Sequence, residues 1–131
     1  MSLHSLLPAA LIAIDSNLGE TVESFTVTLP NASPRSIFLQ NINRNYTVYD
    51  EESDMYFNYS LNFRAGDASE LYDLNAERRM IQLTPVADDR IEVLDTVSQL
   101  MVQIKLEQPG EALLEDESEN LIAKISVATT L

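Results

Sequence analysis

The chain has 131 residues, no cysteine, one histidine (His4) and three glycines, which suits a single domain with a real core. Those counts exclude thiolate or imidazole zinc sites, a cysteine nucleophile and the common glycine-rich phosphate cradles. A formal charge of −13, from 21 acidic against 8 basic residues, argues against nucleic acid and anionic membrane surfaces, both of which attract clustered Lys and Arg.

Residues 6–14 are apolar, but they are too few to span a bilayer and no basic region precedes them, so no membrane insertion is expected here. Within them, residues 11–14 read as a first strand, closed by a turn over 15–19. Phe25, Val27 and Leu29 alternate with Ser24, Thr26 and Thr28 in a second strand. After a loop punctuated by Pro30 and Pro34, Ile37-Phe38-Leu39 starts a third, and residues 46–49 read as a fourth.

Residues 50–54 are too charged for a core and read as a solvated loop. The cleanest alternation follows, with Met55, Phe57, Tyr59, Leu61 and Phe63 on one face and Tyr56, Asn58, Ser60 and Asn62 on the other. The stretch 69–106 organises the rest. It holds a short strand over 80–84 and a longer one over 100–106, with an acidic turn over 87–95 between them. Residues 111–119, EALLEDESE, read as an acidic loop, with a short helix or a hairpin tip as its two forms, and residues 121–127 as the last strand. No long amphipathic helix and no tandem repeat stands out. About seven short strands at regular spacing predict an all-β antiparallel sandwich, one domain over 1–131 with its core over about 10–127.

The order of features resembles an extracellular cadherin repeat. Phe57-Asn58-Tyr59-Ser60-Leu61 is similar to that family's I-x-Y-S-L strand. Leu71-Tyr72-Asp73-Leu74-Asn75-Ala76-Glu77 is similar to its L-F-x-L-D segment, and Asp88-Asp89-Arg90-Ile91-Glu92 stands where the family has L-D-R-E. The resemblance implies a Greek-key β-sandwich, immunoglobulin-like in architecture. It also implies calcium as a cofactor, held by the nearest equivalents of the family's ligands, Asp15, Asp89, Glu92 and Glu107. The linker motif that completes the family's calcium cage is absent, and Ile91 interrupts D-R-E.

Among the sequons, Asn45-Tyr-Thr47 and Asn58-Tyr-Ser60 are the candidate glycosylation sites, with Asn58 on the face opposite Phe57 and Tyr59. Tyr56 shares that outer face and is the candidate interface residue. His4 stands near the terminus, poorly placed for a Ser-His-Asp triad, and the acids read as surface groups, so no catalysis is expected. The function expected from the resemblance is an adhesion or spacer domain in the ectodomain of a membrane protein, contacting a protein partner or a neighbouring repeat. The alternatives are a carbohydrate- or ligand-binding sandwich module of a secreted protein, and a bacterial or viral structural β-protein.

Overall fold

The computed structural model describes residues 3–18, 22–63, 68–75, 77, 80–108 and 110–129. Among them ten strands form: β1 (Val22–Thr28), β2 (Arg35–Ile42), β3 (Asn45–Asp50), β4 (Met55–Phe63), β5 (Ser69–Asp73), β6 (Met80–Ala87), β7 (Arg90–Asp95), β8 (Met101–Leu106), β9 (Glu111–Glu115) and β10 (Leu121–Thr129). Each pairs antiparallel with its neighbour in the chain, and β1 also pairs with β10, Phe25 opposite Val127, so that the sheet closes into an up-and-down barrel.

The expected Greek-key sandwich of about seven strands is thereby corrected. The acidic stretches read as a turn over 87–95 and a loop over 111–119 contain β7 and β9. In both, the charged residues alternate with inward apolar ones, Ile91 and Val93 in β7 and Ala112 and Leu114 in β9. The alternation decides their structure, because a strand with one solvated face tolerates acids at every second position. Residues 64–69, which the sequence suggests as a turn after the strand over 55–63, lie largely outside the described residues.

The third correction concerns residues 11–14, which form no strand. They belong to helix α1 (Leu7–Leu18), which follows a short 3₁₀ turn at Leu3–Leu6. Pro8 sits in the first turn, where its missing N–H breaks no helical bond. From Leu6 to Ile14 every side chain is buried, and none of the leucines, isoleucines and alanines among them is more than 3% exposed. A helix buried on all sides in a molecule whose wall is a single closed sheet occupies the lumen. Its sequence agrees, since LPAALIAI is apolar all round and has no polar stripe to turn toward water.

The dimensions match. Ten strands about 4.8 Å apart and tilted by about 40° close at a diameter of roughly 20 Å, and inward side chains reduce this to about the width of a helix. Phe25, Val27, Val48, Leu71, Ile81, Ile104, Leu114 and Ile125 complete the core around α1. The outward positions carry residues such as Thr26, Gln40, Thr47, Ser60, Gln82, Glu92, Gln103 and Lys124, the reverse of a membrane barrel, whose apolar band faces out. Among the described residues no helix is long and apolar enough to cross a membrane.

The turns at one rim share a device that the sequence repeats roughly every 22 residues, at Asp50, Asp73, Asp95 and Asp116. Each aspartate lies at or just past the end of a strand, and its Oδ1 accepts the backbone N–H two residues on, at Glu52, Asn75, Val97 and Ser118 (2.9–3.2 Å). Three or four residues after each, Asp54, Glu77, Gln99 and Glu119 take positive φ of 56–66°. The opposite rim includes the two-residue turn Asn43-Arg44, with φ of 50° and 68°, as a tight hairpin of right-handed twist requires.

Because Leu11 is wholly enclosed, Leu11→Ala is expected to cost about 2–5 kcal/mol in urea unfolding, whereas Val97→Ala, 67% exposed in the turn after β7, should stay within about 0.5 kcal/mol. Equal effects would mean that α1 is not packed in the lumen.

Candidate functional site

The residues of the candidate site stand on the outward faces of β2, β3 and β4. Ile37 and Leu39 point inward, which sends Phe38 out; Val48 and Asp50 send Tyr49 out; Phe57 and Tyr59 send Tyr56 out. The register sets Phe38 opposite Tyr49 and Tyr49 opposite Tyr56. The three rings therefore form one row across three strands, stacked with centroids 6.4 Å and 4.5 Å apart and interplanar angles of 26° and 29°. Phe38 remains 40% exposed and Tyr56 58%.

The turn between β3 and β4 fixes the row's acidic border. Inside the barrel, Asp50 pairs with Arg35 (3.4 Å) and accepts the Glu52 N–H (3.2 Å), which anchors the turn. Asp54, with φ of 56°, ends the turn and accepts a hydrogen bond from the Tyr49 hydroxyl at 2.9 Å. That bond, above all, raises the Tyr49 phenol above the ordinary tyrosine value, and the charge of Glu51 adds to it.

A second polar cluster closes the other rim, where α1 ends. The Tyr46 hydroxyl donates to Asp15 Oδ2 (3.1 Å) and accepts from Asn41 Nδ2 (3.3 Å), while the Val22 N–H donates to the Asp15 carboxylate. Asn41 Oδ1 is held in turn by the Arg44 N–H (3.0 Å). Burial pushes the Asp15 carboxyl up, against the two hydrogen bonds that lower it. Burial first, then the adjacent carboxylate, pushes the Tyr46 phenol far above its ordinary value. The cluster ties the helix to the wall. At the same rim a recess of about 290 Å³ is lined by Ile14, Leu106, Val127, Glu107 and Glu111.

The acids that the cadherin resemblance assigns to calcium do not all stand together. Asp15 is engaged inside the rim, and Glu92 is on the outer face of β7 opposite Gln103. Asp89 and Glu107 do share a rim, where the Leu106 N–H donates to the Asp89 carbonyl (2.7 Å). Among the described residues no group of three or more His, Cys, Asp or Glu side chains is placed to hold a metal ion. Asn45 is exposed at the start of β3. Asn58 is outward, but its amide is engaged: Oδ1 accepts from Thr47 Oγ1 (3.0 Å) and Nδ2 donates to Asn75 Oδ1 (3.3 Å).

Of the row, the sequence singles out Tyr56 alone. The parity of Ile37-Phe38-Leu39 and of Val48-Tyr49 carries the signal for its partners, but aligning the three rings needs the register set by the Asn43-Arg44 turn and the 51–54 turn. Compared with known proteins, the chain matches no family description, no curated protein and no solved structure.

Removing the Tyr46 hydroxyl strips the buried side of Asp15 of a donor, so Tyr46→Phe is expected to cost about 1–3 kcal/mol at pH 7. The wild-type phenol keeps its proton in the fold to a higher pH than in the unfolded chain. Its contribution is therefore complete below about pH 10 and lost as pH climbs further, and the gap between wild type and Tyr46→Phe should narrow there. Urea midpoints between pH 7 and 11 check this; a gap that widens above pH 10 contradicts it.

Proposed function

We propose that the chain is a non-catalytic binding module whose barrel presents the Phe38–Tyr49–Tyr56 row to a protein partner. The observation that carries this reading is the row itself: three stacked aromatics, two of them substantially exposed, on the outer faces of three adjoining strands. Aromatic rings of this kind supply large contact area at low entropic cost and dominate the energetics of interfaces.

The rest of the architecture turns attention to the same wall. Every described strand is paired on both sides, so a partner cannot bind by adding a strand to an open edge. The lumen, which in other barrels of similar strand number takes a ligand, is filled by α1. The carbohydrate alternative fits the row less well, because the rings stack on one another instead of lying side by side as a flat platform.

The test is a peptide-display selection on the immobilised full chain, followed by Kd measurements on variants that keep the wild-type melting temperature. Phe38→Ala and Tyr56→Ala are each expected to weaken selected peptides by about ten- to a hundredfold, as central aromatic anchors do, with Val97→Ala neutral. Peptides indifferent to both aromatic substitutions would overturn the reading.

A further inference from the structure

Resting on that reading, we propose that the partner side chain seated on the row is an arginine, its guanidinium stacked on the exposed ring of Tyr56 and paired with the carboxylates of the 51–54 turn. Tyr49 covers one face of Tyr56 at 4.5 Å and Tyr56 is still 58% exposed, so it is the ring of the row most open to an incoming group. The border beside it is anionic. Asp54 is held against the Tyr49 hydroxyl at 2.9 Å, Glu51 lies close enough for its charge to act on the same phenol, and Glu52 is exposed in the same turn.

An aromatic face and a carboxylate at one place present two attractions to one cation. The ring's quadrupole draws it over the face, and the acid draws it to the edge. A guanidinium answers both at once, because it is planar, stacks on a phenol ring and offers a fork of N–H donors to a carboxylate. An ammonium meets the acid as a hydrated point charge and stacks poorly. An acidic partner is opposed both by this border and by the chain's charge of −13. The left-handed backbone at Asp54 also keeps the carboxylate in place, since the turn closes on it and Tyr49 holds its side chain.

Fluorescence anisotropy with a capped Ala-Arg-Ala-Arg-Ala peptide, and its lysine, citrulline and glutamate counterparts, tests the proposal on the full chain. The arginine peptide is expected to bind at least about fivefold more tightly than the lysine and citrulline peptides, the glutamate peptide not at all, and binding should weaken at 1 M salt. Tyr56→Ala and Asp54→Asn should each lose at least about fivefold, while Tyr56→Phe, which keeps the ring, should bind like wild type. Asparagine tolerates the positive φ at 54, so Asp54→Asn removes charge without disturbing the turn. Lysine binding as tightly as arginine, or arginine binding unaffected by Tyr56→Ala, overturns the proposal. Selected peptides that need Tyr56 but carry no arginine would overturn it while leaving the protein-binding reading intact; binding indifferent to both Phe38→Ala and Tyr56→Ala would remove both.

Discussion

Burial of α1 inside the barrel is the constraint on which the remaining structure depends. A closed sheet of ten strands cannot collapse onto itself, and protein interiors do not leave a space of that width empty. The inward side chains reach only part of the way to the axis, so something must fill the middle. The helix does so with a mixture of sizes: Ala9, Ala10 and Ala13 allow close approach to the wall, while Leu11, Ile12 and Ile14 fill the gaps between inward strand residues. Polarity resumes where the helix reaches the rim, at Asp15, and there the wall supplies Tyr46 to receive it. The apolar run and the polar residue that ends it thus set the length of helix that the barrel can hold.

A wall of ten strands also demands many reversals, and this chain has only three glycines with which to make them. Aspartate takes over much of the work. A carboxylate at the end of a strand accepts the N–H groups that a reversing backbone leaves unpaired, and at Asp95 one oxygen takes two of them, from Val97 and Ser98. At Asp116 the same bonding, with the backbone N–H of Asn120 as its largest contributor, holds the carboxyl below its ordinary range. Part of the acidity of the chain is therefore structural, because four of its 21 acids build turns at one rim. The same device borders the aromatic row, since the turn begun by Asp50 is the one that brings Asp54 to Tyr49.

How much of this was legible in the sequence follows from which signal each element emits. Strands β1, β4 and β8 alternate cleanly and were readable as strands, and Tyr56 was readable as outward for that reason; β10 was readable as a strand, but a bulge near its start exposes Leu121 and buries Ile122 beside Ala123. Strands β7 and β9 alternate equally well, but their charges outweigh the pattern when the stretch is judged by composition. Losing β5, β7 and β9 hides closure, because about seven strands suit a sandwich and ten suit a barrel. The helix was illegible for a different reason. A short run that is apolar at every position has no period, and only its surroundings decide between strand and helix. The calcium ligands expected from the resemblance depend on a third kind of signal. They were placed by likeness to a sandwich in which strand ends converge, whereas here Glu92 faces outward along the wall and Asp15 turns inward at a rim. The aspartate repeat was present throughout, but spacing acquires meaning only once the turns are known.

A barrel that spends its interior on its own helix, and its strand edges on closure, leaves its outer surface as the place for contact. That restriction favours the aromatic row on energetic grounds. Phe38, Tyr49 and Tyr56 stand on three adjoining strands of a fully paired wall and are already stacked on one another, so a partner need not order them on arrival. Exposed aromatics elsewhere on a loop would lose much of their contact energy to that ordering. The wall also explains why these apolar residues can be exposed without endangering the fold: closure removes the strand edges through which sticky sheets pair and aggregate. Phe38, Tyr49 and Tyr56 stand outside the core, so their exposure leaves the packing around α1 untouched.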